Sequence, residues 1–248
     1  MVIFLTSDIG GTKKVNEQRI PDYLNTKNGM TEQIKKYWKK DSKVLFFSAF
    51  PDDIKENDSH AAAFKEAFPM SGLSISAFDI CDSRNEDMVC RIKDYDALFF
   101  GGGHVPTQNA FFKKIGLKQA LSDYEGIVMA LSAGSMNCAE TVYALPELEG
   151  EGKDAGYQRF IEGLGLTKCM IIPHFQWFGE IKLDGMKVIE EIAVPDSLGR
   201  EFIALTDGSF ILSDNGKERV YGEAYRIKDG KVLKLCGENE SVLLPARR

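Results

Sequence analysis

Apolar residues along the chain fall into short continuous runs divided by longer stretches with one oily side. Lys43–Phe50 (KVLFFSAF) is such a run, closed by Pro51, and so are Ala97–Phe100 and Ile127–Leu131. Runs of this length without polar alternation are typical of parallel strands buried on both faces. Val2–Thr6 is a β-branched and aromatic run ending near Gly10-Gly11, which predicts a first strand and a loop. Leu73–Phe78 predicts another strand. Between these runs the spacing predicts helices over Thr31–Lys40, with Thr31 as N-cap, and over Asp58–Phe68, Pro106–Ile115 and Lys118–Asp123. Strand and helix therefore alternate through the first half, the pattern of an α/β, mainly parallel, doubly wound sheet. Residues 146–158 are rich in Gly and Glu and read as a long surface loop. Cys169–Ile172 predicts a strand closed by Pro173-His174. The tail changes character, with short strands expected at Phe202–Thr206, Phe210–Leu212, Tyr221–Ile227 and Val232–Cys236. Lys228-Asp229-Gly230-Lys231 is a hairpin signal, so antiparallel strands are expected to be added at the C-terminus.

Composition narrows the function classes. The 248 residues suit one α/β domain over residues 1–248, and 44% apolar with 27% charged residues is an ordinary globular balance. A net charge of -6 and a pI near 5.3 give no electrostatic reason to bind nucleic acid or an anionic membrane. The five cysteines contain no C-x-x-C pair, which argues against a disulfide framework and a zinc site. The apolar start lacks a basic flank and reads as a strand, not a signal peptide, so the cytoplasm is the expected location. No run is long enough to span a membrane.

Four segments could carry chemistry. In Met129-Ala130-Leu131-Ser132-Ala133-Gly134-Ser135 a buried strand runs into a serine, small residues and a helix, the layout of a nucleophile elbow. Ala130 stands where the usual pattern has Gly, and the bland alternative is that Ser132 only caps the helix. Gly101-Gly102-Gly103-His104 puts bare N–H groups at the carboxyl end of a strand, as half an oxyanion hole or merely a tight turn. His174 follows a strand, and with only three histidines in the chain it and His104 are the choices for a base, His60 lying on a helix face. The Glu147-Leu148-Glu149-Gly150-Glu151 loop offers carboxylates. Asp8-Ile9-Gly10-Gly11-Thr12-Lys13 resembles the first phosphate loop of sugar kinases. That reading needs a strand hairpin, and Lys13–Asn28 is polar with no strand expected.

The triple glycine, the Ser132-Ala133-Gly134 elbow and Pro173-His174-Phe175, in this order, resemble the S51 peptidases, the dipeptidase E group, and more distantly cyanophycinase. The resemblance covers residues 97–175 and implies a class I glutamine amidotransferase-like sandwich. It implies Ser132 as nucleophile and His174 as base. It implies Gly102 or Gly103 with Ala133 as the oxyanion hole, and an acidic member at Glu147, with Glu149 and Asp154 as alternatives. His104, where the family commonly has Asn, is expected to touch substrate. The family's arginine after the catalytic histidine is missing; Lys182 and Lys187 stand there with Asp184 between them. The expected activity is serine-type hydrolysis of short peptides with no metal or organic cofactor, and with weak or no preference for Asp-X dipeptides. An amidase or esterase of the same fold and a silent ligand-binding domain are the rivals. A homodimer is left open.

Overall fold

The structure is a computed structural model that describes residues 1–16 and 18–245. β1 (Val2–Thr6) leads into a hairpin of β2 (Gly10–Val15) and β3 (Gln18–Leu24), then α1 (Met30–Lys35), β4 (Ser42–Phe47), α2 (Ile54–Met70) and β5 (Ile75–Cys81). β6 (Ala97–Phe100), α3 (Val105–Lys114), α4 (Leu117–Ala120), β7 (Ile127–Leu131) and α5 (Ala133–Asn137) follow. Next come β8 (Thr141–Tyr143), β9 (Phe160–Glu162), β10 (Met170–Ile172), α6 (Phe175–Phe178), β11 (Lys182–Leu183), β12 (Met186–Lys187) and α7 (Val194–Asp196). The chain closes with β13 (Glu201–Leu205), β14 (Phe210–Asp214), β15 (Lys217–Tyr221), β16 (Ala224–Lys228), β17 (Lys231–Cys236) and β18 (Ser241–Leu243).

An eight-stranded sheet in the order β18-β15-β14-β1-β7-β6-β4-β5 forms the centre. From β1 to β5 its neighbours are parallel, and β14, β15 and β18 add antiparallel strands beyond β1. The continuous apolar runs explain the central strands. Leu45, Phe47, Leu98, Phe100, Val128 and Ala130 face one core, and Val44, Phe46, Ala97, Phe99, Ile127 and Met129 face the other. Each run thus feeds two cores at the strand period of two. α2 covers the second core with Phe64, Ala67 and Phe68, and α3 covers the first with Phe111 and Phe112. Burying each such side chain is worth roughly 2 kcal/mol, so the faces hold the helices far more firmly than helix propensity does. Among the described residues no helix is long and apolar enough to cross a membrane.

Five expectations need correction. Cys169–Ile172 does not join the central sheet. Its ordered part, β10, pairs parallel with β13 in a second sheet of order β10-β13-β16-β17, over a third core that includes Ala133, Met136, Ile172 and Phe202. A short apolar run says that it is buried but not in which sheet. Lys13–Asn28, of which residue 17 lies outside the described residues, contributes to a hairpin after all. β2 and β3 pair antiparallel and pack against α2. The first helix begins at Met30 after a left-handed Gly29, so Thr31 is inside it and its hydroxyl donates to the Asn25 carbonyl. Tyr221–Ile227 is not one strand but two, interrupted at Gly222. α2 starts earlier than its apolar period, because the Asp53 carboxylate accepts from the Glu56 N–H at 3.1 Å and caps it. The Asp229-Gly230 turn is as expected, with φ of 48° and 77° joining β16 to β17.

Candidate active site

β7 ends at Leu131, and the next residue, Ser132, has φ 50° and ψ -110°. A non-glycine residue there carries roughly 1–3 kcal/mol of backbone strain, held in place by its surroundings. The Ser132 N–H is tied to the Thr6 carbonyl of β1 at 2.9 Å. Gly134 lies so close to β6 that a Cβ would sit 2.5 Å from the Phe100 carbonyl oxygen, so the turn admits only glycine there. Ser132 Oγ makes no capping bond to α5, which removes the helix-cap reading. Ser135, one turn on, is fully buried and its hydroxyl is committed to the Thr6 and Ala130 carbonyls at 2.9 and 2.8 Å.

His174 follows β10 in a left-handed conformation, φ 51° and ψ 36°. Its backbone N–H donates to Ser7 Oγ at 2.7 Å, which locks it to the end of β1. Its Nε2 lies 3.1 Å from Ser132 Oγ, and its Nδ1 lies 2.6 Å from Asp207 Oδ1. Asp207 follows β13, the strand paired with β10. Its Oδ1 also accepts the Ser7 hydroxyl at 2.8 Å, and its Oδ2 accepts Gln176 Nε2 at 2.6 Å. A proton on Nδ1 directed at the carboxylate leaves Nε2 with its lone pair toward the serine. Burial works to lower the His174 pKa, but the hydrogen bond and charge of Asp207, with Asp8 and Glu147 behind, outweigh it and leave it above 6.5. Burial works to raise Asp207, and the bonds from His174, Ser7 and Gln176 hold it below the ordinary carboxylate value.

The carboxylate on the far nitrogen is therefore Asp207 and not Glu147. Glu147 stands close enough for its charge to act on His174 but makes no hydrogen bond to it; burial and the neighbouring Glu151 push it up to about 7. Glu149 is exposed, and the Asp154 carboxylate accepts the Gly156 N–H of its own turn. Distance from the serine in sequence selected the wrong loop. The signal for Asp207 was a carboxylate within two residues of the end of a buried strand, as Ser132 and His174 also are. His104 also departs from expectation. Its Nδ1 meets Thr107 Oγ1 at 2.7 Å and its Nε2 meets Glu151 Oε1 at 2.9 Å, so both ring nitrogens are engaged within the protein.

A cavity of about 300 Å³ opens beside Ser132 and His174. Gly102 and Gly103 form one wall, and a Cβ on Gly102 would lie 3.4 Å from Ser132 Cβ. The N–H groups of Gly102, Gly103 and Ala133 have no hydrogen-bond partner among the described residues, whereas that of Gly101 is spent on Phe47 at 2.9 Å. Phe46, Phe50, Phe64 and Leu131 supply apolar walls. Arg19 of β3 and Glu56 of α2 pair at the remote part. This guanidinium does not stand at the position after His174 where the family has its arginine; it comes from the hairpin that the polar sequence concealed. Its NH1 donates to Thr12 Oγ1 at 3.1 Å. Burial, with the Arg19 charge in second place, pushes His60 down to about 4, so it is a neutral imidazole whose Nδ1 faces the Glu56 carbonyl. A strained serine, a base with a fixed tautomer, and free N–H donors around an open cavity suit acyl transfer.

Comparison with known proteins agrees. The family model "Peptidase family S51" matches residues 21–221. A peptidase from an acI-B1 Actinobacterium is similar in structure, with TM-score 0.69 at 15% identity, covering 98% of this chain and 96% of that one. A candidate peptidase E protein from Listeria monocytogenes EGD-e gives TM-score 0.54 at 14% identity, covering 94% and 97%. No curated protein matches the chain.

Proposed function

The chain belongs to peptidase family S51 and is a serine-type peptidase, and from that premise we propose that Ser132, His174 and Asp207 are its catalytic triad, acting on short peptides. The observation that carries this reading is the unbroken contact from Ser132 Oγ to His174 Nε2 at 3.1 Å and from His174 Nδ1 to Asp207 at 2.6 Å. His174 takes the hydroxyl proton as Ser132 attacks the peptide carbonyl. Asp207 holds the imidazole and stabilises its charged form. The N–H groups of Ala133 and of Gly102 or Gly103 receive the oxyanion. His174 then gives the proton to the leaving amine, and water resolves the acyl-enzyme by the same steps.

The paired state of Arg19 decides the side-chain preference. Glu56 already occupies the guanidinium, and Lys14 approaches the same carboxylate from outside the cavity at 3.9 Å. An acidic substrate side chain would have to share the guanidinium with Glu56, so acidic first residues are not strongly preferred.

The test is Ser132→Ala beside the wild type. We expect hydrolysis of short peptides and covalent labelling by a fluorophosphonate to be lost, with the melting temperature nearly unchanged, because the Ser132 hydroxyl caps nothing. Retained hydrolysis in the variant would move the chemistry elsewhere.

A further inference from the structure

Asp8 has no part in the triad, yet it lines the catalytic cavity together with Ser132 and His174. The register explains why. Thr6 of β1 pairs with Leu131 of β7, so the residues that leave these two strands, Ser7-Asp8 and Ser132, emerge side by side. Asp8 Oδ1 accepts the Gly10 N–H at 2.9 Å, which fixes the side chain. No cation is paired with Asp8 among the described residues, while the other carboxylate of the cavity, Glu56, is paired with Arg19. Both ring nitrogens of His174 are already engaged, so Asp8 does not orient the base. The bond to Gly10 needs only an oxygen and would be met as well by Asn. The negative charge acts on the His174 imidazole but has no ion-pair partner of its own among the described residues.

We propose that Asp8 is a specificity-determining residue that receives the free α-ammonium of the substrate, and so directs cleavage to the bond after the first residue. This rests on the triad reading above. The α-nitrogen of a first residue is bonded to the carbon next to the attacked carbonyl, only about 2.5 Å from the reacting centre. It must therefore occupy the part of the cavity beside Ser132, where an unpaired carboxylate waits. An internal peptide bond would instead bring a neutral amide against Asp8 and leave the carboxylate desolvated without a partner. A substrate ammonium is the matching group, since the charge of the neighbouring cation Arg19 is already paired with Glu56 and His60 is neutral.

The experiment compares Leu-Leu with 4-methylpentanoyl-Leu, which differs only by lacking the α-amino group. The wild type should favour Leu-Leu by about a hundredfold in kcat/KM, the scale of one truncated buried charge pair. Asp8→Asn keeps the Gly10 bond, and its ratio should fall at least about thirtyfold, through loss on the Leu-Leu arm. Glu147→Gln, which removes a further carboxylate whose charge acts on His174, should keep the wild-type ratio. Three results overturn the proposal: a wild type indifferent to the amine, equal loss on both substrates in Asp8→Asn, or a ratio that collapses in Glu147→Gln instead. Fluorophosphonate labelling of Ser132 separates the layers. A wild type that does not label defeats the triad reading, whereas normal labelling with an unchanged ratio in Asp8→Asn defeats only the role of Asp8. Should Asp8→Asn itself fail to label, Asp8→Ser, which also keeps an oxygen for Gly10, carries the same comparison.

Discussion

Three side chains from three strand ends meet at one point, and each answers to a different part of the chemistry. Asp207→Asn keeps the shape but reverses the donor on Oδ1 or Oδ2, so the imidazole loses its tautomer. Turnover should fall about 10³- to 10⁴-fold. The sign of the pH effect follows from charge. Asp207 raises the His174 pKa, so the acid limb of kcat/KM should lie above the ordinary histidine value in the wild type and move down in the variant. An unmoved limb would mean that His174 is not the titrating base. Glu147 behaves differently. Its carboxyl, raised to about 7 from 4.5, keeps its proton in the folded protein after the unfolded chain has lost it. The native state then binds more protons over that window, and stability falls as pH rises through it. Glu147→Gln should therefore raise the melting temperature by several degrees at pH 8 and hardly at all at pH 4, an effect on the order of 2 kcal/mol. Ser132 and His174 were legible in the sequence because glycine and proline punctuate their strand ends. Asp207 was not, since Thr206-Asp207-Gly208 reads equally well as an ordinary turn between two short strands.

The β2–β3 hairpin is the element that the sequence hid most completely. Lys13, Lys14 and Arg19 break every apolar period, and only contact with α2 gives the segment a buried side. What it brings to the site is Arg19, and what α2 brings is the carboxylate that neutralises it. The pair can be split by one change. Glu56→Gln should release the guanidinium and increase the preference for Asp-Leu over Leu-Leu by about tenfold or more, the gain of a charge-assisted bond in a partly dry pocket. In the wild type that preference should stay below about tenfold. A wild type already favouring Asp-Leu a hundredfold would show that substrate displaces Glu56 from Arg19. The 146–158 loop, by contrast, was read correctly as irregular. It is fixed from outside by Asp184, whose two carboxylate oxygens accept the Gly150 and Gly152 N–H groups at 2.8 and 2.9 Å.

The parallel half of the central sheet could be foreseen because its strands are apolar on both faces, and that pattern has few other homes. The second sheet could not, since its strands are short and their partners are set by how the third core closes. The two sheets meet at the site. Ser7, at the end of the first strand, bonds Asp207, which lies 200 residues further on, and the same hydroxyl receives the His174 N–H. β14 then returns to pair with β1 at the middle of the sheet. During synthesis, the first strand must therefore wait with one edge uncovered until almost the whole polypeptide has left the ribosome. The elbow serine and its histidine exist on the nascent chain long before the aspartate that completes them. With the triad proposed above, full hydrolytic activity must therefore wait for the aspartate and the strands that hold it.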